Sequence, residues 1–402
     1  MKVVLINTLY DPHLLGGAER SVQFLAESLA KHGHVPVVIS TNPNPGVRED
    51  RLNGVKLYYV AVKNLYSPFK KRDTFHPLRP FWHVIDTYNP LMARAIGDIL
   101  DREAPDIVHT NNLAGFSVSV WAAAQRRKLP IIHTLRDYYL LCPRSTMFHK
   151  DRNCTTQCWY CRVYSIVRKL MSRYVDAVVG NSQFILNRHI HHGCFERTKV
   201  RKVIFSAYAA QSMPPPARTV NGDALRLGFL GRLKPNKGIT PLLDAVARLP
   251  GRDYQLWIGG WDEGHLGGSY GMENVFFLGF VDPELFFQHI DVLVVPSLWH
   301  DPLPRTIFEA YTHGVPVIAS NRGGIPEIVD VGETGFLFNP ERPDTLISVL
   351  TGIKEDPHLL HRMRAGALKK SAEFSPENSL MHYISLYRDT MVSREDHGVA
   401  PV

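Results

Sequence analysis

Short apolar runs alternate with amphipathic stretches along almost the whole chain, and the alternation stops once and starts again. In the first half, Val3–Ile6, Val35–Ser40, Val55–Val60, Ile107–Thr110, Ile131–Leu135, Ala177–Gly180 and Val200–Phe205 read as strands. Ala18–Lys31, Pro80–Arg102, Ala114–Arg127 and Gln183–His191 read as helices. Val22, Leu25, Ala26 and Leu29 fall at i, i+3, i+4 and i+7, so one face of the first helix packs on a sheet, and Gly33 supplies its stop. Strand and helix in strict turn predict an α/β fold with a doubly wound parallel sheet. Residues 206–224, with three successive prolines and few bulky apolar side chains, read as a linker. The alternation resumes with strands at Leu225–Leu230, Tyr254–Ile258, Val275–Leu278, Val292–Val295 and Val315–Ala319, and a last helix runs from Pro376 to about Val392. A length of 402 residues exceeds what one core usually organises. Two domains are expected, at 1–210 and 222–375, the first joined by the C-terminal helix of about 376–394.

Composition excludes several classes. No run of about 18 apolar residues is present, so no spanning helix is expected. The opening MKVVLINTLY enters a strand at once and lacks a signal-peptide pattern, which points to the cytoplasm. The net charge of +8 is uneven: residues 1–210 hold 29 Lys/Arg against 15 Asp/Glu, and residues 211–402 hold 17 against 23. Basic groups cluster at Lys70-Lys71-Arg72, Arg126-Arg127-Lys128, Arg168-Lys169 with Arg173, and between Arg197 and Lys202. Such a half is either an ordinary solvated surface or one that sits on an anionic membrane face. Nucleic acid is not an expected partner, because no zinc-finger or aromatic RNP-type pattern accompanies the cations.

Three loops carry the chemistry. Residues 291–329, DVLVVPSLWHDPLPRTIFEAYTHGVPVIASNRGGIPEIV, place Asp301 and Glu309 around the start of a helix between two strands. A helix N-terminus at the carboxyl edge of a parallel sheet can hold a phosphate, while carboxylates grip hydroxyls; phosphate plus hydroxyls outlines a nucleotide sugar. Gly231-Arg232-Leu233-Lys234-Pro235-Asn236-Lys237-Gly238 follows the first strand of the second half and puts two cations, Arg232 and Lys237, before a helix. Such a loop is often only solvated surface, yet at a sheet switch point it can neutralise a diphosphate. Gly16-Gly17-Ala18-Glu19 opens the first helix and is either a plain turn or a close approach of backbone to ligand. His133, with Asp137 four residues on, and His109 end strands of the first half. Each is either a buried structural histidine or a crevice group. Arg136 and the pair Asn181-Ser182 are further crevice candidates.

Cys142, Cys154, Cys158 and Cys161 are spaced C-x11-C-x3-C-x2-C, and Cys194 stands apart. Four thiolates so close can bind a structural zinc ion tetrahedrally. Free or redox-active thiols are the second reading, and disulfides the third, disfavoured in a reducing compartment.

The stretch from Asp301 to Glu309 resembles the acidic-x7-Glu donor motif of the family-4 retaining glycosyltransferases, and Gly231 to Gly238 is similar to that family's GR-x-x-x-x-KG element. The resemblance covers nearly the whole chain and is sharpest at 225–330. Two departures stand out: the first acid is Asp301 rather than Glu, and Pro304 occupies a position usually held by Gly. The resemblance implies a GT-B fold, two Rossmann-like domains facing a central cleft, with the last helix returning to the first domain. It implies donor contacts at Gly17, Arg232, Lys237, Asp301, Arg305, Thr306, Glu309, Gly324 and Glu327. Asp301 would bind sugar hydroxyls, Glu309 the ribose hydroxyls, and Arg232 and Lys237 the leaving phosphate. His133 would contact the transferred sugar, with His109 and Arg136 on the acceptor side. The implied reaction moves a hexose-type residue from UDP- or GDP-sugar to a saccharide or lipid-linked acceptor in cell-surface polysaccharide assembly, with no metal cofactor in the chemistry, at or near the inner face of the membrane. Competing readings are a nucleotide-sugar epimerase on the same fold, a two-carboxylate glycosidase, a sugar-binding module, and an NAD-dependent oxidoreductase. The last is disfavoured because the first turn lacks GxGxxG.

Overall fold

The structure is a computed structural model that describes residues 1–13, 16–66, 77–208, 224–261 and 271–395. The proline-rich part of the expected linker, the two inner domain limits expected at 210 and 222, and the Lys70-Lys71-Arg72 cluster lie outside the described residues. The chain divides into two compact units: residues 1–147 and 155–206 with the C-terminal segment from Pro376, and residues 148–154 with 207–375.

The first unit is built from β1 (Lys2–Ile6), α1 (Gly17–Lys31), β2 (Val35–Asn42), β3 (Val47–Leu52), β4 (Val55–Ala61), α2 (Arg79–Thr87), α3 (Pro90–Glu103), β5 (Ile107–Thr110), α4 (Ser119–Arg126) and β6 (Ile131–Leu135). A two-stranded hairpin, β7 (Phe148–His149) and β8 (Arg152–Asn153), follows in the chain but belongs to the second unit. The first unit then continues with α5 (Trp159–Met171), β9 (Ala177–Gly180), α6 (Gln183–His191) and β10 (Val200–Val203). Its sheet runs β10-β9-β6-β5-β1-β2-β4-β3 and is parallel except for the last pair. Val3, Val4, Leu5 and Ile6 are fully buried, as expected for a strand covered on both faces.

The antiparallel edge strand β3 was not among the expected strands. Its sequence, VREDRL, is charged and exposed, with no apolar alternation to read. Charges of this kind blunt a sheet edge against further pairing. The single helix expected over Pro80–Arg102 is two helices: Asn89 adopts an extended backbone and its side chain accepts from the Leu91 and Met92 N–H groups, capping α3 with Pro90 at its first position. The helix expected from Ala114 begins only at Ser119, because Gly115 and Ser117 both take positive φ.

The second unit contains β11 (Leu225–Leu230), α7 (Ile239–Val246), β12 (Tyr254–Gly259), β13 (Val275–Gly279), α8 (Pro283–His289), β14 (Val292–Val295), α9 (Arg305–Thr312), β15 (Val317–Ser320), β16 (Gly335–Phe338), α10 (Pro343–Glu355) and α11 (Pro357–Ser371). Its sheet, β13-β12-β11-β14-β15-β16, is wholly parallel. Numbered within the unit, this is the order 3-2-1-4-5-6 of dinucleotide-binding sheets, whose connections reverse direction between the first and fourth strands. That switch point lies between β11 and β14, whose loops are the two cationic and acidic stretches singled out above. In the first unit the equivalent reversal lies between β1 and β5.

The last helix, α12 (Pro376–Glu395), packs in the first unit, as the resemblance implies. Leu380, Tyr383, Ile384, Leu386 and Tyr387 join the core that also holds Val3, Leu5, Val22 and Leu25. Each buried Leu or Ile there contributes about 1.5–3 kcal/mol.

Candidate active site

The loop after β11 and the loop after β14 meet at the switch point of the second unit. Gly238 caps the start of α7 at φ 76°. A Cβ there would lie 1.8 Å from the Pro296 carbonyl oxygen, so only glycine lets the first loop seat on the second. The Leu298 and Trp299 N–H groups donate to the Asn236 carbonyl at 2.9 and 3.3 Å, which stitches the two loops together.

Their side chains pair across this seam. Lys237 Nζ lies 2.6 Å from Asp301 Oδ2 and 5.4 Å from the centre of the Trp299 ring. Asp301 is almost entirely buried and Lys237 half-buried. The backbone of Asp301 is fixed from a third side: Gly324 N–H donates to its carbonyl at 2.9 Å, and Gly323, at φ 58°, leaves no room for a Cβ beside it. The Gly324 N–H is thus engaged within the protein. On α9, Arg305 Nε lies 2.9 Å from Glu309 Oε1, four residues on, and the guanidinium sits over the Tyr208 ring at 5.2 Å. Thr306 is half-buried in the first turn of α9, Glu327 lies on the short turn Ile325–Glu327, and Arg232 is exposed on the loop after β11.

Neither α7 nor α9 has a side chain capping its N-terminus, since Gly238 and Pro304 occupy the cap positions. Uncapped N–H groups, a lysine and two carboxylates with paired cations form one polar patch. Such a patch offers donors to phosphate and acceptors to hydroxyls.

In the first unit, Gly17 is exposed at the first turn of α1, and Gly16 caps that helix without a side-chain bond. Asn111, Arg136 and Asn181 follow β5, β6 and β9 at the same carboxyl edge. Arg136 donates to Asn111 Oδ1 at 2.8 Å and to Ser206 Oγ at 3.2 Å. Asn111 Nδ2 and Asn181 Oδ1 are buried with no hydrogen-bond partner among the described residues. Ser182 instead caps α6, accepting from the Ile185 N–H. Burial raises the Asp137 carboxyl to about 6, against a stabilising bond from the Tyr139 N–H.

Both strand-end histidines are enclosed by side chains of the first unit. His133 is buried, bonded to the Thr110 hydroxyl at 2.9 Å, with its ring against Trp121 and stacked on Phe195. Burial lowers its pKa to about 3, so it stays neutral. His109 is fully enclosed, with Tyr387 Oη at 2.8 Å from one ring nitrogen and Thr134 Oγ1 at 2.7 Å from the other. Burial holds it well below the usual histidine range. Strand pleating turns both rings into the helix layers, and α12 covers His109.

The sulfur groups associate in part. Cys161 is hydrogen-bonded to both Cys142 and Cys158, and Cys142 also accepts from the Arg144, Met147 and Thr146 N–H groups. The bond from Cys161 lowers the Cys142 thiol below the usual cysteine range. Cys154 falls in the second unit. Among the described residues no group of three or more His, Cys, Asp or Glu side chains is arranged to hold a metal ion.

Several groups that pattern reading passed over help build the second-unit patch. Asn153, on the two-residue strand β8, donates to the Leu298 carbonyl at 2.7 Å and accepts from the His300 N–H at 2.7 Å. Trp299 faces Lys237, and Tyr208 faces Arg305. No local signal marks Asn153 or Tyr208. Trp299, two residues before Asp301, lies inside the acidic stretch that the sequence marks.

Two family models match the chain: "Glycosyltransferase Family 4" over residues 15–203 and "Glycosyl transferases group 1" over residues 216–370. A Klebsiella pneumoniae protein described as an uncharacterized 42.6 kDa protein in the cps region is 34% identical over 82% of this chain and 87% of its own. Among solved structures, sucrose-phosphate synthase from Thermosynechococcus elongatus superposes with a TM-score of 0.76 at 20% identity, covering 98% of this chain and 99% of that one. Anabaena Alr3699/HepE, in complex with UDP and glucose, gives 0.71 at 20% identity over 97% and 100%.

Proposed function

Because the chain belongs to family 4 of the glycosyltransferases, we propose that it moves a hexose-type sugar from a nucleoside diphosphate to a saccharide or lipid-linked acceptor, with retention at the anomeric carbon. The setting proposed is assembly of a cell-surface polysaccharide, in line with the cps-region description of the Klebsiella relative. The nucleotide is UDP by analogy with Alr3699/HepE, whose structure contains UDP and glucose.

The observation that carries this reading is the convergence of Lys237 and Asp301, beside the Arg305–Glu309 pair, on the switch-point loops of a dinucleotide-type sheet. Lys237, with Arg232 on the same loop, binds the diphosphate and stabilises the charge that grows on it as the bond from the anomeric carbon breaks. N–H groups at the starts of α7 and α9 add to that stabilisation. Asp301 accepts from sugar hydroxyls and Glu309 from the ribose. The acceptor oxygen bonds to the anomeric carbon on the face the phosphate leaves, and the departing phosphate oxygen takes the acceptor proton. No carboxylate is assigned the role of nucleophile, and the cations rather than a metal ion carry the leaving-group charge.

Thermal-shift screening against nucleotide sugars identifies the donor. Incubation of that donor with saccharide and lipid-linked acceptors, followed by NMR of the product's anomeric signal, tests the reaction. An α-linked donor giving an α-linked product supports the proposal. An inverted product, or conversion of the donor to a stereoisomeric nucleotide sugar without acceptor, replaces it.

A further inference from the structure

Three sulfur atoms meet at the start of α5, and glycosyl transfer as proposed uses none of them. Cys158 occupies the cap position of α5 with an extended backbone and makes no side-chain capping bond. Cys161 follows in the first turn, where side chains at i and i+3 rise on one side of a helix. It is hydrogen-bonded to both Cys158 and Cys142, so the sulfur atoms of this C-x-x-C pair are already in contact. All five cysteines of the chain lie among the described residues: Cys158 is exposed, Cys161 and Cys154 are half-buried, and Cys142 and Cys194 are buried. An exposed thiol with a less exposed one against it at a helix start is the arrangement that thiol–disulfide exchange requires. One sulfur meets the reagent and the other displaces it.

The surroundings hold the pair in place. Gln157, buried just before the cap, donates to the Leu141 carbonyl at 2.6 Å and to Ser165 Oγ at 3.0 Å, and accepts from Lys169 Nζ at 2.8 Å. The start of α5 is thereby fixed against the loop that follows β6. Cys142, in that loop, accepts the hydrogen bond from Cys161 and sits in a nest of N–H donors from Arg144, Thr146 and Met147, which suits negative charge on sulfur. Cations line the approach: Arg162 donates to the Gln157 carbonyl at 3.2 Å and Arg188 to the Thr155 carbonyl at 2.8 Å. Guanidinium groups on this segment favour an anionic reagent.

We propose that Cys158 and Cys161 form a reversible dithiol–disulfide site whose reagent is an anionic low-molecular-weight disulfide, with Cys142 as the proton acceptor. The Cys158 thiolate attacks one sulfur of the reagent. The reagent's S–S bond breaks, a mixed disulfide forms on Cys158, and one thiolate leaves. Cys161 then attacks Cys158 Sγ and passes its proton to Cys142, its hydrogen-bond acceptor. The Cys158–Cys161 bond forms and the reagent's second thiolate leaves. The dithiol is oxidised by two electrons and the reagent is reduced by the same number. A dithiol reductant reverses both steps. Once oxidised, Cys161 has no proton to donate to Cys142, and one tie between α5 and the loop after β6 is lost. The site is independent of the donor chemistry, and its test needs neither donor nor acceptor.

The full chain, reduced and freed of reductant, is incubated with oxidised glutathione, quenched with acid and mapped by mass spectrometry. A Cys158–Cys161 disulfide that dithiothreitol reverses is expected. Cys161→Ser stops at a stable glutathione adduct on Cys158. Cys158→Ser consumes oxidised glutathione about tenfold more slowly or worse. Cys142→Ser leaves the first step unchanged and slows the second about tenfold, so that the adduct accumulates. A general loss of packing would not confine its effect to one step. Circular dichroism and thermal unfolding check that each variant is folded, and the exposed Cys158 position takes serine even where the buried Cys142 position does not. The proposal fails if the adducts fall on Cys154 or Cys194, if Cys158→Ser reacts as fast as the wild type, or if the wild type accumulates the adduct as Cys161→Ser does. It fails equally if elemental analysis finds zinc in the purified chain and the thiols react only after a chelator removes it.

Discussion

Lys237 Nζ and Asp301 Oδ2 stand 2.6 Å apart although 64 residues separate them in the chain. The pair joins the loop after β11 to the loop before α9, and it is possible only because Gly238 admits the Pro296 carbonyl where a side chain would otherwise stand. In the proposed donor complex, Lys237 turns toward phosphate and Asp301 toward a sugar hydroxyl. The ion pair then acts as the resting arrangement of two groups that each have another partner when the donor is bound.

Glu309→Gln separates a hydroxyl contact from a general loss of structure. If the carboxylate accepts from a ribose hydroxyl, the variant binds the nucleoside diphosphate about tenfold more weakly, about 1.4 kcal/mol. The 2′-deoxy or 3′-deoxy nucleotide that lacks the contacted hydroxyl then binds wild type and variant alike. Calorimetric titration of the four combinations gives the coupling directly, and simple additivity of the two losses contradicts the assigned contact.

Gly238→Ala places a Cβ against the Pro296 carbonyl at a positive φ. The strain costs about 1–3 kcal/mol before any clash is relieved. The midpoint of urea unfolding falls, and donor affinity falls with it, because the loop bearing Lys237 lifts from the loop bearing Asp301. Gly231→Ala is a contrasting case: a Cβ there meets no atom within 4 Å, although its φ of 152° adds backbone strain. It lowers stability with a smaller effect on donor affinity. Equal losses of donor affinity in the two variants contradict the role given to the seam.

Acid destabilises the first unit. Burial holds His83 and His189 near pKa 4 and His133 near 3, and lowers His109 as well, all from an ordinary value near 6.5. Between the folded and unfolded values the unfolded chain binds more protons, so stability falls as pH drops from about 6.5 toward 4. Asp86 and Asp137, raised by burial to about 7 and about 6, act in the opposite direction but are fewer. The unfolding temperature measured across this range should decline, and His133→Phe should flatten the decline. A profile that rises below pH 6 overturns the assignment.

Much of the architecture was legible because it is local. Leu225–Leu230 and Val292–Val295 appear as strands at the limits the sequence suggests, since short apolar runs bounded by turn residues have few alternatives. The meeting of Lys237 and Asp301 was also legible, because strand order at a switch point brings such loops together whatever lies between. Side-chain direction is less legible. His109 and His133 do end strands at the functional edge. The partners that bury them, Tyr383 and Tyr387 on α12 and Trp121 with Phe195, come from elsewhere in the chain and leave no mark on the local pattern. Strand β3 and the hairpin bearing Asn153 escaped for a related reason: exposed charged residues and two-residue strands have no apolar period to detect.

The most direct test of the account is calorimetric titration of a nucleoside diphosphate and of its parent nucleoside into the wild type and Lys237→Ala. The wild type is expected to bind the diphosphate much more tightly than the nucleoside. Lys237→Ala is expected to lose about tenfold or more of the diphosphate affinity and to leave nucleoside binding unchanged. Equal diphosphate affinity in the two proteins would contradict it.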